Sequence, residues 1–357
     1  MTVMRDEIGE IPAVVRRLLG DEGAERTEVA AAIRRARPRW ASIVARGTSD
    51  HAGIYGRFLV ETQLGLPTGL ASPSVTTIYR APLDWRDGLV LAISQSGQSP
   101  DIVAVTEAAR AGGATTVAIT NAPGSPLAQA AEFRLDCRAG EERAVAATKT
   151  YVAELAAIAA LVAELAPDSP VAASLPGVPD VLAHALDDAI AWVDGPAGQE
   201  LVASITTAGR VIVASRGFNL ATALEISLKL KETSGVFAEG YSTADLEHGP
   251  IVLATADVPT LVIRPDGPTG NVIDGALDRA AAAGSAVWRI GGPEISGKPR
   301  SCVLDGTPAT RMEPLGIEAL TPLWYVLPGQ LVSEAVARRL GRDPDAPIGL
   351  KKVTLTR

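Results

Sequence analysis

The chain has 357 residues, with a hydrophobic fraction of 47%, a charged fraction of 21% and a formal net charge of -8. The length predicts two domains, and the negative balance argues against a nucleic-acid surface, which needs clustered Lys and Arg side chains. The start of the chain lacks an apolar signal-peptide core, and no uninterrupted apolar run is long enough for a membrane helix, so we expect a cytoplasmic protein.

The first half of the chain alternates short β-branched runs with Ala-rich helical patterns, which is typical of an α/β fold with parallel strands. Buried strands are predicted at 42–45, 88–93 and 115–119, with helices at 53–64 and 101–111. Helices between strands provide the crossovers that parallel pairing requires.

The second half repeats this order of elements. Predicted strands at 211–214, 260–263 and 286–290 alternate with helices at 223–232 and 274–283. Gly217 lies 170 positions after Gly47, and Gly267 lies 170 positions after Gly97, in turns that follow matching strands. The repeat predicts the fold class: α/β, with two tandem doubly wound parallel-sheet domains.

Domain boundaries follow from this repeat. We expect an N-terminal helical segment at 1–30, a first doubly wound domain at 31–165, a helical linker at 166–200, a second doubly wound domain at 201–340 and a C-terminal tail at 341–357. The tail carries Leu350, Val353 and Leu355, apolar residues that predict a docked end rather than a frayed one.

A turn rich in serine, Ser94 to Ser99, follows the predicted strand 88–93 and leads into a helix. It places hydroxyls and backbone N–H groups at the carboxyl edge of a parallel sheet, beside a helix N-terminus, where open α/β sheets bind anions. Gly97 allows close approach of the backbone. The alternative is an ordinary polar turn in which Ser99 caps the helix.

The counterpart of this turn in the second half is less suited to phosphate. It contains Pro265, which has no N–H, and Asp266, which repels an anion. In the first half, by contrast, the run from Arg46 to Ser49 and the segment 145–150 are both predicted near the same sheet edge. Each segment alone is weak evidence, and for 145–150 the alternative is a plain helix start with Thr148 near the cap.

A predicted helix in the second half carries Glu225, Lys229 and Glu232 on one face, because their spacings are four and three residues. Surface salt bridges are the alternative to a catalytic cluster. His248 precedes Gly249 and a predicted strand, and a structural histidine at a turn is the alternative there.

Together, six segments resemble the double sugar isomerase (SIS) domain family, which includes the isomerase half of glucosamine-6-phosphate synthase. They occur in the family's order and approximate spacing over nearly the whole chain: Gly47-Thr48-Ser49, Ser94-Gln95-Ser96-Gly97, Val145-Ala146-x-Thr148-Lys149, Leu224-Glu225 through Lys231-Glu232, His248-Gly249-Pro250 and Leu350-x-Lys352-Val353-Thr354. The resemblance implies a flavodoxin-like fold for each domain and a catalytic C-terminal tail. Ile348 stands where the family tail usually has Arg.

By this resemblance each matching residue has a role. The residues that bind the sugar phosphate are Thr48, Ser49, Ser94, Gln95, Ser96 and Ser99, while the Val145 backbone and Glu225 line the sugar pocket. Glu232 carries a proton between C1 and C2, assisted by Lys229. Lys352, which adjoins Lys351, forms a Schiff base with the open-chain sugar. His248 helps to open the ring and, in family dimers, reaches the site of the neighbouring subunit.

The activity implied is an isomerising deamination of an amino-sugar phosphate: glucosamine 6-phosphate and water give fructose 6-phosphate and ammonia. The alternatives are an ammonia-dependent glucosamine-6-phosphate synthase, a fructosamine-6-phosphate deglycase and a non-catalytic sugar-phosphate-binding regulator. No Cys precedes Cys137, so we expect no glutaminase domain. We also expect no cofactor, no metal, no nucleic acid and no membrane. The expected partners are the phosphosugar and, in a homodimer, a second copy of the chain.

Overall fold

The structure is a computed structural model that describes residues 2–20, 23–292, 301–302 and 318–352. The chain forms two compact units that interleave in sequence. Unit A comprises Ala13–Glu142, Lys149–Pro176 and Lys351–Arg357, and unit B comprises Met1–Pro12, Arg143–Thr148 and Gly177–Leu350. Val353 and Leu355, which were expected to dock the tail, lie outside the described residues.

Helix α1 (Val3–Gly9) belongs to unit B, and helix α2 (Ile11–Gly20) begins there and continues into unit A. The further helices of unit A are α3 (Ala24–Ala36), α4 (Thr48–Leu64), α5 (Pro73–Thr77), α6 (Pro100–Ala111), α7 (Pro126–Ala130), α8 (Lys149–Leu165) and α9 (Pro170–Ser174). Its strands are β1 (Trp40–Val44), β2 (Thr68–Leu70), β3 (Gly88–Ile93), β4 (Thr115–Thr120) and β5 (Phe133–Asp136). They form one parallel sheet in the order β2-β1-β3-β4-β5.

The central strands of unit A are apolar because both of their faces are covered. Every residue of β3 and of β4 is buried, as expected of central strands in a parallel sheet. On one face Val90 packs into a core cluster with Ile102 and Val105 of α6. This packing fixes the position of the turn that joins β3 to α6.

Unit B is built around a second parallel sheet. Its strands are β6 (Arg210–Ser215), β7 (Phe237–Ser242), β8 (Thr260–Ile263), β9 (Val287–Ile290) and β10 (Ser301–Cys302), in the order β10-β9-β8-β6-β7. Its further helices are α10 (Val178–Asp194), α11 (Pro196–Ala208), α12 (Leu220–Ser234), α13 (Thr243–Glu247), α14 (Gly270–Ala282) and α15 (Pro322–Arg339). Helix α15 is buried along most of its length and packs on α12, where Gly329 leaves room for Ile226.

The predicted repeat and fold class are confirmed. Both sheets have the same strand order, and matching boundaries differ by 170 positions: β3 ends at Ile93 and β8 at Ile263, while α6 begins at Pro100 and α14 at Gly270. This is the flavodoxin-like order, in which ligands bind where the loops after the first and third strands diverge. Each unit therefore has one such switch point.

Two predicted elements differ most from the structure. The helix expected from residue 53 begins earlier, at Thr48, because the Gly47 carbonyl already accepts the Asp50 N–H. The strand expected directly after His248 is instead a 3₁₀ turn, Pro250–Leu253, and the next strand, β8, begins at residue 260. Proline has no N–H for a sheet hydrogen bond, which favours the turn. None of the described helices has the length and apolar character needed to cross a membrane.

Candidate functional site

The serine loop, Ser94–Ser99, lies at the carboxyl end of β3 in unit A. Ser94 is buried, and its Oγ accepts a hydrogen bond of 3.1 Å from the Gly97 N–H. The Oγ of Ser96 accepts one of 3.3 Å from the Gln98 N–H. A hydroxyl that accepts such a bond keeps its proton, so both side chains can still donate to a ligand oxygen.

Neighbouring turns hold the backbone of this loop. The Gln95 carbonyl accepts hydrogen bonds from the Asn121 N–H at 3.2 Å and the Thr120 hydroxyl at 3.3 Å. Gly97 has a φ of 60°, and a Cβ at this position would lie 2.1 Å from the Ser125 Oγ. Only glycine fits both the backbone conformation and the space.

Gly97→Ala is therefore expected to weaken the binding of a sugar phosphate at least about tenfold and to destabilise unit A by about 1–3 kcal/mol. Titration with the sugar phosphate, together with thermal melting, measures both effects. Gly124→Ala is the matched control, since a Cβ there meets no described atom within 4 Å. Unchanged sugar-phosphate affinity in Gly97→Ala would show that the serine loop is not the phosphate site.

Ser99 occupies the N-cap position of α6, with an extended backbone. Its side chain makes no capping hydrogen bond within the described part of the chain. The alternative of an ordinary turn closed by a Ser99 cap thus lacks its defining hydrogen bond. The hydroxyl lies at a helix N-terminus, whose dipole attracts anions. Few backbone donors remain there, because Pro100 has no N–H and the Ile102 N–H donates to the Asp101 carboxylate at 2.9 Å.

The loop after β1 reaches the same switch point in unit A. Arg46 joins the two loops, because its Nε lies 2.9 Å from the buried Asp101 carboxylate at the start of α6. Thr48 is the first residue of α4 and is partly exposed. Ser49 is buried, and its hydroxyl donates a hydrogen bond of 2.8 Å to Glu154 Oε1. To bind a phosphate, Ser49 would have to donate its hydroxyl proton to a phosphate oxygen instead of to Glu154.

Lys352, also in unit A, pairs with Glu142. Its Nζ lies 3.5 Å from Glu142 Oε2, and the Lys352 side chain is 26% exposed while that of Glu142 is fully buried. The other carboxylate oxygen of Glu142 accepts the Thr150 N–H at 3.3 Å. A buried carboxylate needs a cation or strong donors. The neighbouring Lys351 is exposed, so Lys352 is the docked lysine of the pair.

In unit B, α12 carries Glu225, Lys229 and Glu232 on one face. The Lys229 side chain is 1% exposed, and its Nζ lies 3.5 Å from Glu225 Oε1 and contacts Glu232 Oε2. Glu225 is fully buried, whereas a quarter of the Glu232 side chain is exposed. These are not surface salt bridges. The buried ammonium instead holds a partly exposed carboxylate in place.

Glu232 also lines an open groove, which we call the tail groove. Its volume is about 860 Å³, and residues of the tail, including Pro347, Ile348 and Leu350, also line it. Small-molecule sites commonly have volumes of about 300–1,000 Å³. The Glu232 carboxylate pairs with the buried Lys229 and is also open to this groove. It can therefore exchange a proton with a ligand bound there.

The tail is anchored in unit B by Asp345. Its carboxylate accepts the N–H groups of Val3 and Met4 at 2.8 and 2.7 Å, at the start of α1. Its backbone carbonyl accepts the Val145 N–H at 2.9 Å. The Val145 N–H is therefore occupied, which leaves its carbonyl for the predicted backbone contact with the sugar. The nearby Glu7 carboxylate accepts two further N–H groups of the segment that contains Val145.

Asp345→Asn is expected to lower the turnover of an amino-sugar phosphate about tenfold and stability by about 1–2 kcal/mol, because the amide cannot accept both N–H bonds. Steady-state kinetics and denaturant unfolding measure the two effects. Asp187→Asn, at an exposed position of α10, is the control. If both variants match the wild type, the Asp345 anchor does not position the tail.

His248 stands apart from the Lys229 cluster in sequence and lies at the exposed end of α13. Its backbone N–H donates to the Asp245 carbonyl, and Gly249 follows with a φ of 139°. Within the described residues no hydrogen bond involves its ring. The exposed imidazole fits the expectation that it acts on a second copy of the chain, which stays a prediction.

Several residues of these sites were not predicted from the sequence: Arg46 as a bridge, Glu142, Glu154 and Asp345. Glu142 comes three positions before Val145, and Asp345 five positions before Leu350, so their proximity to motif residues was the available signal. No group of three His, Cys, Asp or Glu side chains in the described ranges is arranged to hold a metal ion.

Comparison with known proteins identifies related sequences. The SIS domain model matches residues 37–164 and 204–291. Glutamine–fructose-6-phosphate aminotransferase (isomerizing) of Methanothermobacter thermautotrophicus is 37% identical over 310 residues, which cover 87% of this chain and 50% of the relative. The enzyme of the same name from Zymomonas mobilis is 34% identical over 320 residues, with 87% and 51% covered. The chain thus spans about half the length of these curated relatives.

Solved structures share the fold. A candidate phosphosugar isomerase of Silicibacter pomeroyi has a TM-score of 0.84 at 36% identity, with 97% of this chain and 100% of that chain covered. Glucosamine-6-phosphate deaminase of Thermotoga maritima has a TM-score of 0.78 at 17% identity, with 99% and 100% covered. At 17% identity, the likeness to the Thermotoga maritima structure shows a shared fold and nothing more. The SIS match covers more than half of the residues, in both units, and the chain belongs to the SIS domain family.

Proposed function

We propose that the protein is an isomerising deaminase that converts glucosamine 6-phosphate and water to fructose 6-phosphate and ammonia. The observation that carries the proposal is Glu232, held by the buried Lys229 and open to the tail groove. Moving a proton between adjacent carbons needs one base that can serve both. A carboxylate fixed on its buried side and exposed on the other meets this need.

The serine loop supports a phosphorylated substrate. Its hydroxyls supply donors and the N-terminus of α6 supplies a favourable dipole, while Arg46 and Asp101 largely neutralise each other. Such a site suits a phosphate monoester, whose oxygens accept several hydrogen bonds. The names of the curated relatives support an amino-sugar phosphate, since those aminotransferases are named for fructose 6-phosphate.

In the proposed mechanism the serine loop holds the phosphate and His248 helps to open the sugar ring. Glu232 then removes the proton from C2 of the open-chain aldose and delivers it to C1, which leaves an imine at C2. The Lys352 amine attacks this imine and releases ammonia. Water hydrolyses the resulting lysine ketimine to fructose 6-phosphate and regenerates the amine. The sum is one water consumed and one ammonia released.

We also propose that the active form is a homodimer, in which the exposed His248 of one protomer serves the site of the other. Exposure of the ring at the end of α13 supports this arrangement. No step of the proposed reaction calls for a cofactor. Gel filtration at micromolar concentration should give a dimer, and a monomer that retains full activity would remove the shared role of His248.

A substrate panel tests the proposed reaction. Purified protein is incubated separately with glucosamine 6-phosphate, with a fructosamine 6-phosphate and with fructose 6-phosphate plus ammonium, and the products are quantified. Turnover of the first substrate supports the proposal. Turnover of only the second indicates a deglycase, and net glucosamine 6-phosphate from the third alone indicates a synthase. Saturable binding without turnover of any substrate indicates a regulator.

A further inference from the structure

The switch point of unit B has the same strand order and connections as that of unit A, but the loop after its third strand differs in conformation. The loop after β6 contains Gly217 with a φ of 61°, and the loop after β8 contains Gly267 with a φ of 159°. The two loops leave the sheet between adjacent strands and lead to α12 and α14. Crevices of this kind bind ligands in open α/β sheets.

A side chain of the protein itself fills this crevice. Glu318 is 2% exposed, and its carboxylate accepts the Thr269 N–H at 3.2 Å and the Thr269 hydroxyl at 2.9 Å. A Cβ at Gly267 would lie 2.2 Å from Glu318 Oε2, and one at Gly217 would lie 3.3 Å from Oε1. The carboxylate therefore rests against both loops. At Gly267 only glycine leaves enough room for it, and at Gly217 a Cβ would be a tight contact on a backbone with a positive φ.

The segment that carries Glu318 is itself fastened to the crevice. The Asn219 side chain, at the end of the loop after β6, donates a hydrogen bond of 2.6 Å to the Thr321 hydroxyl. That hydroxyl donates to the Glu318 carbonyl at 2.8 Å. These bonds fix the backbone from which the carboxylate enters, just before α15 begins.

The internal repeat relates this contact to the serine loop. Thr269 lies 170 positions after Ser99, as Gly267 does after Gly97. Thr269 and Ser99 are both N-cap residues with a hydroxyl and a backbone N–H. In unit B these two donors hold a carboxylate, and in unit A the equivalent donors belong to the loop proposed to hold the phosphate.

We propose that the switch point of unit B is an anion site whose permanent ligand is the Glu318 carboxylate, and that it accepts a small free carboxylate when Glu318 is removed. Arg264 does not supply this site with free positive charge, because its guanidinium pairs with Asp266 at 2.9 Å and Asp274 at 2.8 Å. The site therefore suits a small monoanion rather than a phosphate ester. One consequence is that, of the two switch points, the one in unit A is open to a substrate phosphate.

The expected affinity for a free anion is weak. Burial raises the pKa of Glu318, although both hydrogen bonds from Thr269 oppose this shift. The two hydrogen bonds therefore offset only part of the free-energy cost of burying the charged carboxylate. The covalent link to the chain, which holds the Glu318 side chain in the crevice, offsets the rest. A free acetate, which lacks the tether, is expected to bind with a dissociation constant of about 10 mM.

The test is chemical rescue of Glu318→Ala, which opens space for one acetate. In sodium acetate at 100 mM, compared with sodium chloride at equal ionic strength, its melting temperature is expected to rise by about 3 °C, and saturably. The wild type and Glu318→Gln, in which the crevice stays filled, should shift by less than about 1 °C. Ile273→Ala, a buried truncation on α14, controls for general salt stabilisation.

If Glu318→Ala does not fold in chloride, its refolding yield in acetate is measured instead, and at least a twofold gain over chloride is expected. Equal acetate responses in Glu318→Ala and Ile273→Ala would overturn the inference. So would a rescue that persists unchanged when Thr269→Val is added, because that change removes the hydroxyl donor. Neither readout involves sugar turnover, so failure here leaves the proposed reaction untouched, and the reverse also holds.

Discussion

Lys352→Ala is expected to lower kcat for glucosamine 6-phosphate by about 10³-fold or more, with little change in phosphosugar binding. The amine is the proposed nucleophile, and no other group in the mechanism can form the ketimine. Its ion pair with the buried Glu142 fixes the position of the amine while a quarter of the side chain stays exposed. Steady-state kinetics and an equilibrium binding titration separate the two effects.

Lys351→Ala is the matched control, since it removes an adjacent and exposed lysine. It should keep kcat within about twofold of the wild type. Glu142→Gln should give an intermediate loss of kcat, because the neutral amide no longer forms the ion pair that fixes the position of the amine. If Lys351→Ala loses activity and Lys352→Ala keeps it, the roles of the two lysines are reversed.

Glu232→Gln is expected to lower kcat by about 10²–10⁴-fold, while the dissociation constant of the sugar phosphate changes less than about threefold. Glutamine keeps the size of the side chain and can still accept a hydrogen bond from Lys229, but it cannot carry the proton between C1 and C2. The partial exposure of Glu232 to the tail groove is what makes it, rather than the buried Glu225, the residue to test.

Glu247→Gln serves as the control, because Glu247 is exposed at the end of α13 and pairs only at the surface with Arg279. It should leave kcat unchanged. Full turnover by Glu232→Gln would contradict the proposed proton transfer even if sugar-phosphate binding were unaffected.

Lys229→Met is expected to lower folding stability by about 3–5 kcal/mol, because it removes the ammonium that pairs with the buried Glu225 carboxylate.

The fold could be predicted from the sequence because the signals are local and repeated. Continuous β-branched runs predicted β3 and β8 with their observed limits, and a constant spacing of 170 positions predicted the second sheet from the first. The first residues of helices were predicted less well. Helix α4 begins directly after Gly47, five residues before its predicted start, and the sequence does not show whether the backbone at such a glycine starts a helix.

The spacing of Glu225, Lys229 and Glu232 predicted a shared helix face but not its burial. Charged residues at these spacings lie on one helix face whether that face is exposed to solvent or buried, so the spacing cannot tell the two cases apart. Burial came from the packing of α12 against α15, an element about a hundred residues away. The structure decided between the two interpretations in favour of a buried ammonium with one exposed partner.

Contacts between distant segments could not be predicted at all. Glu142 meets Lys352, Asp345 meets Val3, and Glu318 meets Thr269 over separations that no motif spans. In each case one carboxylate satisfies backbone or side-chain donors of a remote segment. Such pairings depend on which distant segments the fold brings together, and no local sequence pattern shows this.

The most direct test of the central claim is the product balance of the wild-type protein with glucosamine 6-phosphate. Ammonia and fructose 6-phosphate are measured in parallel over the same time course, by independent enzymatic assays. Both products are expected in equal amounts, and Lys352→Ala and Glu232→Gln are expected to suppress both together. No ammonia at any practical enzyme concentration, from a protein that demonstrably binds the sugar phosphate, would contradict the central claim.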